Sequence, residues 1–328
     1  MRFAQPPVGT VDGRPRQVGV EIEYQGLDAS SLAECIRKRW GGTIERQHAF
    51  ALRVQDSEFG TFRVELDSRW FKEQVYLDYL HRVGVRIEDT DWQSSLERAL
   101  ERVSSLMVPQ ELVTPPLPIP ALTSLDEIRR EMHELGARGT RDGVAFAFGV
   151  HFNPEAFSRR SEDALHVLQS FLLLYDGLVE SMDLARRLGP FVSDFGEDYR
   201  EQVLDNDYTP NWDTLILDYI RHNPTRNRAL DLLPLFRTVR PDGPWNRVQN
   251  VSAVKARPTF HYRLPDCRID EPDWSLADAW NPWVKIEEVA CSGELREQLV
   301  AEYRATRDAH AFGHRSIWKD RAVEVLSS

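Results

Sequence analysis

The stretch from Val18 to Tyr24 reads V-G-V-E-I-E-Y, in which apolar and acidic residues alternate. Strict alternation predicts a β-strand, because successive side chains of a strand point to opposite faces of its sheet. Glu21 and Glu23 therefore share one face and lie about 6.5–7 Å apart. Two carboxylates on one face are unfavourable unless a cation compensates them, since like charges resist joint ionisation. The pair indicates a cation site, and the alternative is the solvent-facing side of a half-exposed sheet.

Other helices and strands surround this strand without a regular order. Asp28 is a candidate N-cap for a helix that ends at about Trp40, and a capping box begins at Ser124. Further helices are predicted at residues 92–106, 124–135, 162–188, 212–222, 226–236 and 294–308, and further strands at 50–55, 61–66, 73–87, 110–117, 143–152 and 257–264. A mixture without regular βαβ alternation is typical of an α+β fold with a largely antiparallel sheet.

The composition is that of an ordinary globular chain. It has 328 residues, of which 41% are hydrophobic and 28% are charged. A prior of about 150 residues per domain gives two domains, and one large α+β domain is equally compatible. The net charge of −11 argues against a general nucleic-acid or membrane-surface binder, since both need a basic footprint.

The cysteines and the hydropathy pattern concern the location of the protein. Cys35, Cys267 and Cys291 are far apart and odd in number, which argues against a disulfide scaffold and fits a reducing compartment. The N-terminal residues lack the apolar segment of a signal peptide, and no stretch approaches 18 apolar residues. We therefore expect a cytoplasmic protein with no membrane partner.

Further polar side chains lie on other predicted strands. Glu65 and Asp67 repeat the spacing of two, and Glu111 begins a strand. His151 ends an apolar strand, where a neutral imidazole can bind a divalent ion. Each residue alone is equally compatible with an ion pair between strands or with a buried, hydrogen-bonded histidine. Their common occurrence on strands of one chain favours a functional site.

A later segment carries two arginines. Arg257, His261 and Arg263 share one face of the strand predicted at residues 257–264. Arginine binds phosphate or carboxylate through two parallel hydrogen bonds. The chain has no G-x-x-x-x-G-K-[ST] loop and no strand-linked G-x-G-x-x-G, so a bound nucleotide must be held by metal ions and arginines. It also lacks G-x-S-x-G and H-E-x-x-H.

Several segments together resemble a known family. Residues 19–24, G-V-E-I-E-Y, resemble the G-x-E-x-E opening strand of glutamate–cysteine ligases and putative amidoligases, two families of the glutamine synthetase-like carboxylate–amine ligase superfamily. The most specific match is E-L-V-T-P-P-L at 111–117, which is similar to E-(I/L)-V-S-P-P-L. The segments F-R-V-E-L-D-S (62–68), G-V-H-F-N (149–153) and F-H-Y-R-L-P (260–265) follow the family order. Two positions depart from it, since His261 replaces a glutamate and Asp67-Ser68-Arg69 replaces Asp-Gly-Ser.

The resemblance implies an ATP-dependent ligase that joins a carboxylate to an amine through an acyl-phosphate. The implied substrates are a small-molecule or peptide carboxylate, with glutamate as one candidate, and an amine. The implied cofactors are ATP and Mg²⁺, with Mn²⁺ as an alternative ion. The implied metal ligands are Glu21, Glu23, Glu65, Asp67, Glu111 and His151. The resemblance further implies that Arg257 and Arg263 stabilise the transferred phosphate, that His261 lies with them at the nucleotide, and that Glu111 takes part in catalysis.

The resemblance also implies an architecture. We expect a glutamine synthetase-like fold, α+β with a curved, largely antiparallel sheet and helices packed on its convex side. One catalytic domain would cover residues 1–328, with 190–250 as a helical and loop insertion and 290–328 as a C-terminal helical extension. The oligomeric state is left open by the sequence.

Two other functions remain open at this point. A metal-dependent hydrolase or phosphotransferase is one alternative, because carboxylate–histidine clusters also activate water. A catalytically inactive nucleotide- or metabolite-binding module is the other, and the replacement of a family glutamate by His261 favours it. No nucleic-acid partner is expected from any of these.

Overall fold

The computed structural model describes residues 2–48, 51–66, 109–140, 148–184, 192–310 and 312–328. Asp67, the strand predicted at 73–87 and the helix predicted at 92–106 lie outside these ranges, as do residues 143–147 of another predicted strand. Within the described ranges, no helix combines the length and the apolar character needed to cross a bilayer.

The strands of the described residues form one large antiparallel sheet and a short ribbon. In chain order they are β1 (Thr10–Val11), β2 (Arg14–Pro15), β3 (Gln17–Tyr24), β4 (Thr43–His48), β5 (Ala51–Ser57), β6 (Gly60–Leu66), β7 (Gln110–Val113), β8 (Leu117–Pro118), β9 (Val150–Pro154), β10 (Leu230–Asp231) and β11 (His261–Tyr262). β1 and β2 pair with each other. The other nine form a sheet in the order β10-β11-β9-β3-β7-β6-β5-β4, with β8 also paired to β3.

Helices occupy much of the remaining described chain. They are α1 (Ala29–Trp40), α2 (Leu122–Glu134), α3 (Ser161–Ser181), α4 (Glu197–Val203), α5 (Trp212–His222), α6 (Leu233–Val239), α7 (Leu276–Cys291), α8 (Gly293–Ala309) and α9 (His314–Ser327). The prediction of an α+β fold with a largely antiparallel sheet is confirmed. The division into a domain, an insertion and an extension stays a prediction.

The alternation in β3 produces a sheet with two different faces. Val18, Val20 and Ile22 are completely buried on one face. Burial of each such side chain contributes about 1.5–3 kcal/mol, which fixes which face of the strand points into the core. Glu21 and Glu23 consequently point to the opposite face.

Helices cover the apolar face. The ring of Phe152 in β9 packs on Trp280 of α7 with a centroid distance of 5.5 Å. At the other end of the sheet, Trp40 of α1 stacks on Phe62 of β6 at 4.9 Å. Aromatic contacts of this kind add to the burial of apolar surface that holds helices against a sheet. Because these helices pack on the apolar face, the opposite face carries the polar side chains.

The capping box predicted at Ser124 is wrong. α2 begins earlier, after Ala121, without a side-chain cap. The glutamate of the motif, Glu127, instead forms an ion pair with Arg39 of α1. A tertiary contact between two helices therefore takes the carboxylate that the local motif assigned to the first turn of α2.

The helix predicted at residues 226–236 is wrong for its first seven residues. Leu230 and Asp231 instead pair with Tyr262 and His261, which places β10 at the edge of the sheet. α6 begins only at Leu233, and Pro234 lies in its first turn, where the missing N–H of proline costs nothing. The strand predicted at 257–264 is reduced to the two residues of β11.

Candidate functional site

The polar face of the sheet brings together side chains from four neighbouring strands. Glu21 is in register with His151 of β9, and Glu23 is in register with Glu111 of β7. Glu111 is in turn opposite Glu65 of β6. Residues directly opposite each other in an antiparallel pair lie on the same face. Five of the six predicted metal ligands therefore share one face, and the sixth, at position 67, lies outside the described residues.

His151 lies between the two carboxylates of β3. Its Nδ1 is 3.2 Å from Oε2 of Glu21, and its Nε2 is 3.4 Å from Oε1 of Glu23. The other oxygen of Glu23 accepts a hydrogen bond of 2.7 Å from the backbone N–H of Gly149. A carboxylate only accepts hydrogen bonds, and a neutral imidazole has one N–H and one lone pair. One of the two contacts of His151 therefore requires a second ring proton or a cation between nitrogen and oxygen.

Asn153 extends this network towards β11. Its Nδ2 donates to Oε1 of Glu21 at 3.0 Å, and its Oδ1 lies 2.7 Å from Nδ1 of His261. The rings of His151 and His261 are 5.3 Å apart between centroids. Glu21 is thus connected to both histidines, directly to one and through an amide to the other.

Burial and charge shift the pKa values of Glu21 and His261 in defined directions. Burial raises the pKa of Glu21, but His261, the hydrogen bond from Asn153 and the guanidinium of Arg257 together outweigh it, so the pKa lies below its ordinary value. Burial lowers the pKa of His261 well below its ordinary value; Glu21 opposes this shift, and neighbouring groups that include Arg263 reinforce it. The direction that follows is an ionised Glu21 beside a neutral His261.

Two groups of side chains in the described residues have the composition of a cation site. Glu21, His151 and His261 form the first, and Glu23, Glu111 and His151 form the second. Within each group, one ligand atom of every residue lies within 4.8 Å of the others. Carboxylate oxygens and neutral imidazole nitrogens are ordinary ligands of divalent cations. The donor set therefore fits the metal ions that the sequence predicts.

A cavity of about 470 Å³ lies over this face. Its lining combines acidic and basic side chains, and the basic ones are more numerous. The carboxylates that line it are Glu21, Glu65 and Glu111, and the cations are Arg63, Arg226, Lys255, Arg257 and Arg263. An anionic ligand that brings its own divalent cations would find opposite charges for both its anionic groups and its cations in such a cavity.

The two predicted arginines are held differently. Nη1 of Arg263 donates a hydrogen bond of 2.6 Å to the backbone carbonyl of Arg226. Arg257 has a side chain that is 42% exposed, and its Nη1 lies 4.0 Å from Oε1 of Glu21. Arg263 is therefore anchored in place, whereas Arg257 has room to move towards a ligand in the cavity.

The sequence analysis missed several residues of this site, among them Arg63. Asn153 follows His151 by two residues and therefore shares its face, a signal that could have revealed it. Lys255 precedes Arg257 by the same spacing. Arg226 lies in a region without a recognisable motif, and its place in the cavity follows only from the course of the chain.

A second cavity of about 460 Å³ adjoins the first. Glu21, Asn153 and Arg257 line both cavities. Val113, Pro116 and Pro258 contribute apolar surface to the second one. Two ligands, one in each cavity, would therefore meet at Glu21.

Comparison with known proteins identifies a family. A family model described as a putative amidoligase enzyme matches residues 14–285. This range runs from β2 into α7 and contains every predicted site residue. A search of curated proteins found no significant match.

Proposed function

Because the chain belongs to the family of putative amidoligase enzymes, we propose that it is an ATP- and Mg²⁺-dependent ligase that joins a carboxylate to an amine through an acyl-phosphate. The observation that carries this proposal is the convergence of carboxylates and guanidinium groups on one cavity. The proposal includes a glutamine synthetase-like fold and membership of that superfamily, with which the antiparallel sheet is compatible.

In this proposal the carboxylates of the polar face, together with His151, hold the metal ions. Glu21, Glu23, Glu111 and His151 offer the ligand atoms, and Glu65 lies opposite Glu111 at the edge of the group. Bound Mg²⁺ neutralises the triphosphate and the charge that develops during phosphoryl transfer. The strands place these residues on a rigid surface, so the ligand atoms are already in position before the metal ions bind.

The basic side chains of the cavity bind the phosphates in this proposal. Phosphoryl transfer requires mainly positioning and charge stabilisation, which fixed guanidinium groups provide. The carbonyl of Arg226 holds the guanidinium of Arg263 in one orientation. Arg263 can therefore bind the transferred phosphoryl group at a fixed position. Arg257 and Lys255 line both cavities, so they can follow the phosphoryl group as it passes to the acid.

The second cavity receives the carboxylate substrate. Arg257 and Lys255 supply positive charge there, and Val113 and Pro116 supply apolar surface. A carboxylate attached to a short aliphatic chain, as in glutamate or a peptide side chain, matches that combination. The acid and the nucleotide would then meet beside Glu21, where the phosphoryl group is transferred. The use of ATP agrees with the cytoplasmic location that the sequence predicts.

The test is a screen for ADP release with ATP, Mg²⁺, glutamate and a panel of amines, followed by mass spectrometry of positive mixtures. We expect ADP in a one-to-one ratio with an amide product. The Glu21→Gln variant serves as the negative control in the same plates. Hydrolysis of a substrate without ATP would instead support a metal-dependent hydrolase. If Mg²⁺-ATP fails to raise the melting temperature at millimolar concentration, the inactive binding module is favoured.

A further inference from the structure

The two groups of ligand atoms on the polar face share one residue, His151. A neutral imidazole has a single lone pair and therefore serves one ion at a time. If His151 joins Glu21 and His261, that ion has two nitrogens and one carboxylate. Glu23 and Glu111 then remain as an oxygen-only pair for a second ion. The face thus offers two positions with different donor chemistry.

Hydrogen bonds prepare His261 for the first position. The carboxylate of Glu21 can only accept, so the group of Asn153 that faces it, 3.0 Å away, is the amide NH₂. The amide oxygen of Asn153 then faces Nδ1 of His261 at 2.7 Å. An oxygen acceptor requires a proton on Nδ1, which leaves the lone pair on Nε2. Orientation of a histidine ligand by a hydrogen bond on its other nitrogen is usual in metal sites.

Burial further restricts the orientations of the two imidazoles. The side chain of His151 is 3% exposed, and His261 is equally well enclosed at 4%. Asn153, which links Glu21 to His261, is buried as well. Three buried polar groups in one network have little freedom to rearrange, so the two imidazoles are fixed before any ion arrives.

Donor chemistry decides which ion suits each position. Imidazole nitrogen is a good ligand for Zn²⁺, Cu²⁺, Ni²⁺ and Fe²⁺, whereas Mg²⁺ prefers oxygen ligands in octahedral geometry. We propose that Glu21, His151 and His261 form a site that selects an imidazole-binding transition-metal ion, such as Zn²⁺, over Mg²⁺, while Glu23 and Glu111 suit Mg²⁺. This inference deepens the proposed function and rests on it for the presence of two divalent ions in the cavity.

The first test compares metal preference in the full chain after removal of metals with a chelator. Zn²⁺ and Mg²⁺ are titrated separately by calorimetry, without ATP, into the wild type and the His261→Glu variant. Transition ions bind more tightly than Mg²⁺ to most sites, so the informative quantity is the change in the Zn²⁺-to-Mg²⁺ affinity ratio. We expect His261→Glu to lower that ratio by roughly tenfold or more. An unchanged ratio would overturn the inference.

A matched substitution controls for the added charge. His310 is exposed near the end of α8 and lines none of the cavities described above. The His310→Glu variant adds the same carboxylate to the surface, and we expect its affinity ratio to equal that of the wild type. An equal decrease of the Zn²⁺-to-Mg²⁺ affinity ratio in the two variants would show a general effect of the added charge. That result would count against the proposed site.

The second test needs no variant and therefore does not depend on the folding of His261→Glu. Pulsed electron paramagnetic resonance of the wild type with one equivalent of Cu²⁺, a paramagnetic ion that imidazole binds well, detects nitrogen bound directly to the ion. We expect couplings from two imidazoles, and an ion with oxygen ligands only would overturn the inference. Neither test uses ATP or a substrate. A protein without ligase activity can still bind metal as expected here, and an active ligase can lack this metal preference. Failure of this inference can therefore be distinguished from failure of the proposed function.

Discussion

Asn153 donates a hydrogen bond of 3.0 Å to the carboxylate of Glu21, across the boundary between β9 and β3. The two residues are 132 positions apart in the chain. The same carboxylate also contacts His151 at 3.2 Å and lies 4.0 Å from Arg257. Glu21 is therefore held by an amide, an imidazole and a guanidinium at the junction of the two cavities, which makes its orientation the feature on which the site depends.

Replacement of Asn153 by leucine should weaken metal binding without removing any ligand. The variant loses the donor to Glu21 and the acceptor for His261, so both ligands are free to reorient. We expect the affinity for Zn²⁺ to fall by about 10–100-fold, as is usual for loss of an orienting hydrogen bond. Calorimetry measures it, with the exposed Asn206→Leu as the control. An Asn153→Leu protein with wild-type affinity would contradict the orienting role.

Replacement of Glu21 or Glu23 by glutamine should abolish ligase activity and preserve the fold. Each change removes a charge with little change of shape, and in Glu23→Gln the new amide oxygen can still accept the hydrogen bond from Gly149. Loss of a metal contact costs several kcal/mol of transition-state stabilisation, so ADP release should fall at least about 100-fold. The exposed Glu34→Gln on α1 is the control. Near-normal turnover in both variants, with unchanged circular dichroism, would count heavily against a metal role.

Replacement of Arg257 by glutamine should weaken the binding of ATP more than it affects stability. A charge-assisted hydrogen bond contributes about 1.5–3 kcal/mol, which corresponds to a roughly 10–100-fold rise in Kd. The partly exposed side chain lies 4.0 Å from its carboxylate partner Glu21, so the free energy of unfolding should change by less than about 1 kcal/mol. Arg247→Gln, exposed ten residues earlier and outside the cavity, is the matched control. Equal affinities of the two variants would place Arg257 outside the nucleotide site.

Replacement of Arg16 by methionine should destabilise the whole fold. Arg16 forms two hydrogen bonds of 2.7 Å with Glu287 of α7, and both side chains are almost completely buried. The substitution leaves a buried carboxylate without its cation, which costs about 3–5 kcal/mol. Urea unfolding measures this loss.

The exposed pair of Arg37 and Glu34 on α1 is the natural control for that experiment. Its N–O distance of 2.8 Å is similar, but both side chains are about half exposed. We expect Arg37→Met to cost less than about 1 kcal/mol, since water replaces the lost partner. Similar losses for Arg16→Met and Arg37→Met would show that the buried pair contributes no more than a surface pair.

The parts of the fold that depend on local patterns were predictable. The alternation at Val18–Tyr24 predicts β3 and its two faces, and the structure confirms both. The helix at Trp212–His222 has the predicted bounds, because an apolar stripe and an N-cap at Asn211 are local features. The capping box at Ser124 failed for the opposite reason, since Glu127 of that motif pairs with Arg39, 88 positions away in the chain.

The candidate site shows the same division. The acidic residues and His151 were predicted from their positions on strands, and the structure brings Glu21, Glu23, Glu65 and Glu111 to one face. Their roles as ligands remain predictions. Arg226 could not be predicted, because its segment was assigned to a helix and reaches the cavity only after β10 pairs with β11.

By itself, the sequence determined which side chains share a face of each strand, because the two-residue period is a property of the extended backbone alone. It also determined that two carboxylates of β3 would need positive charge nearby. The tertiary structure alone decided which strands lie side by side, and hence that His151, 130 positions from Glu21, places a ring nitrogen 3.2 Å from its carboxylate. Pairing between distant strands follows from the packing of the entire apolar face against its helices, and no local stretch contains that information.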